Sequence, residues 1–361
     1  SLAPNNVLDE EYVKYFDESV EFRRDTDYTV EHLTGIYTME YLLSQGTDGG
    51  IGEPEFLRQL ESFVEWYRQQ PETLHVFSIN DILKRLNKNM HNDDPNAYRL
   101  PETRRMTSQY LLLFEMSLPA GLDLNERINV SKSATRLTVT LKSLSSQQVI
   151  DLEARAQAWL ETNAPLLKET EGTGATLLFS HIGQRNIVSM ISGEIMSIAF
   201  ISLIMMYLLR SFGLGLLSLI PNLIPAGMAF GIWSLWVGQI GMSSSVVAAM
   251  TLGILVDDTV HFLSKYQYAR QEKLFSPEQS LYYAFATVGN ALWVTSAVLI
   301  LGFSIFTFSN FKINYEMGLL TSIIFALGLF AEFLLLPPIL LTYESVKQNF
   351  GRVFKKQLPS G

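Results

Sequence analysis

Five long apolar segments dominate the second half of the chain and constrain its fold more than any other feature. A transmembrane helix needs about 20 mainly apolar residues to cross a hydrocarbon core roughly 30 Å thick. Each segment is long enough, and so many of them favour a membrane bundle over a large soluble protein with buried helices. We therefore predict five transmembrane helices, at residues 187–209, 213–236, 242–264, 291–311 and 317–341.

Composition changes sharply between the two parts of the chain. Residues before about Phe179 are rich in Glu, Arg, Asn and Gln, whereas Leu, Ile, Phe, Met, Gly and Ser dominate from Ile187 onwards. We predict a water-exposed domain over residues 1–183, a membrane domain over 184–345 and a basic tail over 346–361. The net charge of −9 argues against nucleic-acid binding, and the absence of Cys excludes a disulfide framework and a thiolate metal site.

Lys and Arg residues near the ends of the apolar segments predict the orientation. One side of the membrane has only Lys312 in its two short loops, and the other has Arg210, Lys265, Arg270, Lys273, Lys347, Arg352, Lys355 and Lys356. By the positive-inside rule the basic side is cytoplasmic, which places the C-terminus inside and residues 1–183 outside. Because the chain starts at Ser1 without a signal peptide, export of this domain leads us to expect a further span upstream.

The outer domain shows two strand–helix–strand passes. In chain order these passes are predicted at 35–44, 53–70 and 73–79, and then at 127–143, 146–163 and 175–180. Ser145 or Ser146 is expected to cap the second of these helices. Two further helices are predicted between the passes, at 80–90 and 101–116. The pattern predicts an α+β domain of the ferredoxin-like, split βαβ class.

No catalytic or metal-binding pattern stands out in this domain. His75, His91, Asp93 and Asp94 carry metal-ligand atoms, but the sequence after His91 has the composition of a solvated turn. We predict no metal, no organic cofactor and no enzymatic activity.

Two adjacent acids, Asp257 and Asp258, interrupt the third apolar segment. Each ionisable group at bilayer depth costs about 2.5 kcal/mol or more, so a functional reason for them is expected. Adjacent helical residues point about 100° apart, and His261 follows at a spacing that lets its ring meet either carboxylate. Desolvation and mutual repulsion disfavour two charged carboxylates, so at least one is predicted to bind and release a proton near neutral pH.

Further polar residues lie in the other segments. Glu332 has apolar neighbours on both sides, Thr295 and Ser296 lie in the fourth segment, and Glu194 and Glu316 lie near outer helix ends that water can reach. We predict a proton relay, driven by the proton gradient, of Asp257, Asp258, His261, Thr295 and Glu332. Structural interpretations stay open: the acidic pair could form ion pairs with another helix, His261 could be interfacial, and Thr295 and Ser296 could be packing residues.

Three stretches of the membrane segments carry a family resemblance. They are Gly253–Asp258 (GILVDD), 218–225 (SLIPNLIP) and 331–337 (AEFLLLP). They resemble helices of resistance–nodulation–division (RND) transporters, in the branch that includes MMPL-type and hopanoid exporters and Patched-like proteins. The resemblance implies a twelve-helix fold in two halves, of which this chain would supply a periplasmic porter-like domain and helices eight to twelve. It gives Asp257 and Asp258 the role of proton-relay carboxylates, and Glu332 a position where the family often has Asp.

The resemblance also implies a function and a location. It implies proton-motive-force-driven export of lipids or other hydrophobic or amphipathic molecules across the bacterial inner membrane, with residues 1–183 periplasmic. The expected partners are a lipid substrate, the membrane, the N-terminal half of the same polypeptide, and further copies in a dimer or trimer. The alternative is a non-transporting lipid sensor or scaffold whose outer domain binds a protein. An intramembrane aspartyl protease is disfavoured, because adjacent Asp257 and Asp258 cannot converge from different helices.

Overall fold

The computed structural model describes residues 7–8, 12–119, 123–167 and 170–357, which form two compact units. Glu21–Gln184 form an α+β unit, and the described residues up to Val20 and from Arg185 onwards form a helical unit. Residues 358–361 of the predicted basic tail and residues 1–6 of the predicted outer domain lie outside the described residues.

The α+β unit is built on a four-stranded antiparallel sheet. Its strands are β1 (Tyr37–Ser44), β2 (Thr73–Phe77), β3 (Ala134–Leu141) and β4 (Gly172–Thr173), in the spatial order β2-β3-β1-β4. β1 and β2 both pair antiparallel with β3, with Tyr37 opposite Leu141 and Ser44 opposite Ala134 at the two ends of the β1–β3 ladder. β1 and β2 therefore run in the same direction on either side of β3. This is the split βαβ arrangement, and the ferredoxin-like prediction is confirmed.

Five helices accompany the sheet: α1 (Glu21–His32), α2 (Pro54–Arg68), α3 (Ile79–Met90), α4 (Arg104–Ser117) and α5 (Ser146–Asn163). The alternating pattern of β1 buries Met39, Tyr41 and Leu43, and these pack with the apolar stripe of α2 in one hydrophobic core. α5 begins in a capping box in which Ser145 and Gln148 each bond the other's backbone N–H, as the sequence around Ser145 predicts.

Two predicted strands of this unit differ from the structure, one in its position and the other in its length. The predicted strand at 175–180 is helical, and β4 is confined to the two residues that precede Gly174, whose φ is +115°. A short apolar run has no periodicity that separates a strand from a buried helix, which explains the error. The predicted strand at 127–143 is shorter, because the Asn129 side chain accepts hydrogen bonds from the Ser133 and Ala134 backbones and closes a turn before β3.

Five helices in the described residues are long and apolar enough to cross a membrane, which confirms that prediction. They are span 1 (Ala175–Leu208), span 2 (Phe212–Trp236), span 3 (Ser243–Gln271), span 4 (Pro277–Phe308) and span 5 (Lys312–Lys347). Half of the most apolar stretch of span 5 is buried, against 11% for spans 1 and 4. Span 5 contacts spans 2, 3 and 4 and is therefore the central helix of the unit.

Spans 4 and 5 each contain a π-helical turn, at Phe285–Gly289 and Ala331–Leu335. Pro337 and Pro338 follow the second turn and have no N–H to donate to the carbonyls one turn earlier, while a proline ring also crowds that carbonyl. A widened turn relieves this conflict. It also places Glu332 in a π-turn, a feature common at functional sites.

The segment before Val20 belongs to the helical unit. Val7–Leu8 pair in parallel with Gln239–Ile240, in the loop between spans 2 and 3. The Asp17 amide donates to the Asn310 carbonyl at 2.9 Å, and the Phe16 ring packs against Phe311 in the loop between spans 4 and 5. This segment therefore joins the two interhelical loops for which the sequence predicts the outer side.

Candidate functional site

A thin polar layer separates two apolar clusters inside the helical unit. It consists of Asn222 on span 2, Thr259 on span 3 and Glu332 on span 5, which expose 1%, 0% and 2% of their surface. One apolar cluster includes Trp233, Val247, Leu255, Leu320 and Phe325, and the other includes Leu209, Phe262, Tyr266, Leu281 and Leu336. Along spans 3 and 5 the polar residues lie between members of the two clusters.

The Thr259 hydroxyl is the centre of this layer. Its oxygen lies 2.8 Å from Asn222 Oδ1, 3.1 Å from the Leu255 carbonyl oxygen of its own helix and 3.2 Å from Glu332 Oε1. The amide nitrogen of Asn222 donates to the Ser218 carbonyl at 2.8 Å, which leaves Asn222 Oδ1 to accept from Thr259. One hydroxyl has one hydrogen, so Thr259 can donate fully to only one of these three acceptors at a time.

The protonation state of Glu332 therefore biases which acceptor receives the Thr259 hydrogen. A neutral Glu332 donates to the Thr259 oxygen, and Thr259 then donates to Asn222, so that all three spans are joined and every group has a partner. An ionised Glu332 competes for the Thr259 hydrogen, and when it accepts that hydrogen, Asn222 Oδ1 has no other donor among the described residues. Within the described part of the molecule no Lys, Arg or His lies at ion-pair distance from Glu332, so water or a proton must compensate its charge.

The two predicted relay acids face different directions. Asp257 is exposed over 72% of its side chain, and its Oδ1 lies 3.6 Å from Nε2 of His261, which is exposed over 63%. Asp258 is half-buried, and its carboxylate is within electrostatic range of both Asp257 and Glu332. The structure thus brings Asp258 close to the polar layer and holds Asp257 and His261 as a separate, exposed pair.

Thr295 forms its hydrogen bonds within its own helix rather than with these acids. Its exposed hydroxyl donates to the carbonyls of Ala291 and Leu292 in its own helix, at 3.0 and 3.1 Å. The neighbouring Ser296 is the buried residue of the two. Among the residues that the structure describes, no group of three His, Asp or Glu side chains is arranged to hold a metal ion.

A second buried acid lies at the other end of spans 3 and 5. Glu316 exposes only 8% of its surface, accepts a hydrogen bond of 2.6 Å from the Ser243 hydroxyl, and lies 3.6 Å from the Lys312 amine. Its position near the helix end suggested a wetted side chain, but the structure buries and pairs it.

Asn222 and Thr259 are the site residues that the sequence analysis missed. Thr259 directly follows the acidic pair, and Asn222 is the polar residue between Pro221 and Pro225 in an otherwise apolar stretch. The sequence contains a signal for each, since a polar residue at bilayer depth needs a partner. Nothing in it shows that the two partner each other.

The family model described as the MMPL family matches residues 129–357, which is more than half of the chain and includes all five spans. A comparison with curated proteins finds no match.

Proposed function

The chain belongs to the MMPL family of RND-superfamily transporters, and on that basis we propose that it couples proton movement to the export of lipids or similar amphiphiles. Family membership makes it a multi-pass membrane transporter rather than an enzyme. The observation that carries the proton coupling is the shared hydroxyl of Thr259, which bonds Asn222 and Glu332 across three spans.

The proposed coupling follows from the two hydrogen-bond patterns. Proton binding to Glu332 completes the hydrogen-bond series Glu332–Thr259–Asn222. Proton loss breaks the hydrogen bond from Thr259 to Asn222 on span 2. The charge of Asp258 acts on Glu332, which supports proton exchange between these two carboxyl groups. A transport cycle needs such a group, whose protonation favours one packing of the helices over another.

Exposed apolar surfaces support a lipid substrate. Spans 1 and 4 keep most of their apolar side chains outside the core of the helical unit. Such faces fit acyl chains, or further helices of a twelve-helix protein, its N-terminal half or a second copy. The Lys and Arg distribution supports a cytoplasmic C-terminus and a periplasmic α+β unit in a bacterial inner membrane.

Proton coupling is tested with the whole transporter in proteoliposomes under an imposed pH gradient. The readout is extraction of an NBD-labelled lysophospholipid, together with the internal pH reported by a trapped dye. We expect Asp258→Asn and Glu332→Gln each to abolish gradient-driven extraction, while Asp257→Asn has a smaller effect because its carboxylate is exposed. Glu278→Gln, an exposed acid at the start of span 4, is the matched control and keeps full activity.

Gradient-driven extraction that survives Asp258→Asn, Glu332→Gln and the double variant would refute this role. Lipid binding that ignores both the gradient and these carboxylates would instead favour a non-transporting lipid sensor.

A further inference from the structure

The α+β unit contains a cavity that the proposed proton chemistry does not use. It has a volume of about 410 Å³ and lies between α3, the end of β2 and α4. Its apolar lining comes from Phe77, Ile82, Leu86, Tyr98 and Phe114. This size and lining are typical of small-molecule sites, which combine apolar walls with a few polar groups.

The two helices that line this cavity also expose apolar side chains. The lining residue Tyr98 is half-exposed, and α3 and α4 carry the exposed residues Met90, Leu113 and Met116. Exposed apolar side chains on helices that line an apolar cavity favour a binding surface.

The cavity has an excess of positive charge. Asp81, its acidic lining residue, is already neutralised by Arg68 at 2.9 Å and by Lys84 at 3.5 Å. Arg85 lines the cavity, and in the described residues no carboxylate lies at ion-pair distance from it.

Arg127 is a second cation, and it lies against one of the residues that line the cavity. Its guanidinium lies 4.3 Å from the ring centroid of Phe77, a lining residue, and it too has no carboxylate at ion-pair distance in the part of the chain described. Arg85 in the cavity lining and Arg127 against a lining residue are therefore both available to an anion.

We propose that this cavity binds an anionic amphiphile, with its acyl chain between α3 and α4 and its headgroup on Arg85 and Arg127. Planar guanidinium groups bind carboxylate and phosphate oxygens in a bidentate manner, so either headgroup fits. The role of this site in transport rests on the proposed function, in which the cavity is an intermediate binding site for the exported lipid. The binding itself is independent of the proton relay.

The site is tested by photo-crosslinking on the full chain in phosphatidylcholine liposomes. The probe is palmitate with a diazirine on its chain, and labelled peptides are mapped by mass spectrometry. We expect labelling in the peptides that contain α3 and α4. Arg85→Glu with Arg127→Glu should reduce it about tenfold, which corresponds to about 1.4 kcal/mol of binding free energy. Arg58→Glu, which removes an exposed arginine paired with Glu55, is the matched control and leaves labelling unchanged.

Two more probes identify the headgroup. A diazirine lysophosphatidate that labels more strongly than palmitate assigns a phosphate, and the reverse order assigns a carboxylate. A neutral diazirine hexadecanol that labels as well as both overturns the anionic preference, and absence of labels between Phe77 and Ser117 overturns the site.

A further variant separates this site from the proton relay. Leu86→Gln should reduce labelling by all probes, because it places an amide in the apolar wall. Glu332→Gln should leave labelling intact. If labelling persists while gradient-driven extraction fails, the binding site is supported and the proposed proton coupling is not. If extraction follows the gradient while labelling is absent, the coupling is supported and the binding site is not.

Discussion

Replacing Thr259 by Val tests whether a single hydroxyl holds three spans together. Val keeps nearly the same shape and removes the donor to Asn222 and Glu332. An unsatisfied buried acceptor costs about 1–3 kcal/mol, whereas interhelical hydrogen bonds in membranes contribute about 0.6 kcal/mol on average. Because the variant leaves Asn222 Oδ1 without a donor in either protonation state of Glu332, we expect the free energy of unfolding to fall by about 1–2 kcal/mol.

The assay is reversible unfolding in mixed micelles with increasing SDS, followed by tryptophan fluorescence. Thr251→Val is the matched control, because Thr251 is equally buried on the same span but its hydroxyl donates only to Val247 and Ala248 of its own helix. We expect a loss below about 0.5 kcal/mol for this control. Equal losses in the two variants would refute the interhelical bond, and Thr259→Ser should restore most of the stability because it keeps the hydroxyl.

Two further predictions address packing and pH. Gly318→Ala should destabilise the helical unit by about 1–3 kcal/mol in the same assay, because a Cβ would lie 2.6 Å from the Phe303 carbonyl oxygen, whereas Gly302→Ala meets open space and should be neutral. Burial raises the pKa of Tyr41 and of Tyr67 above the usual 10.0. The free energy of unfolding that the two neutral phenols contribute is therefore complete below pH 10 and is lost as the pH rises further. Absorbance at 295 nm should show both phenols ionising only with unfolding, and titration of all fifteen tyrosines near pH 10 in the folded protein would contradict this.

The sequence by itself determined the features that depend on neighbouring residues. The five spans follow from the length of each apolar run, because each run must satisfy its own backbone within the membrane. The capping box at Ser145 and Gln148 joins residues three apart, and the two strand–helix–strand passes follow from local periodicity. The segment at 175–180 shows the limit of this reasoning, since a short apolar run fits a strand or a helix equally well.

Only the tertiary structure decided which polar groups meet. Thr259 bonds Asn222 across 37 residues and Glu332 across 73, and no local pattern encodes those pairings. The same holds for Asp257 and Asp258: the sequence shows two acids about 100° apart on a helix. The packing of spans 2 and 5 against span 3 determines that Thr259 is buried and Asp257 exposed. A polar side chain in a membrane segment predicts that a partner exists, but the helix packing selects the partner, because hydrogen bonds form only between groups that the fold brings within about 3 Å.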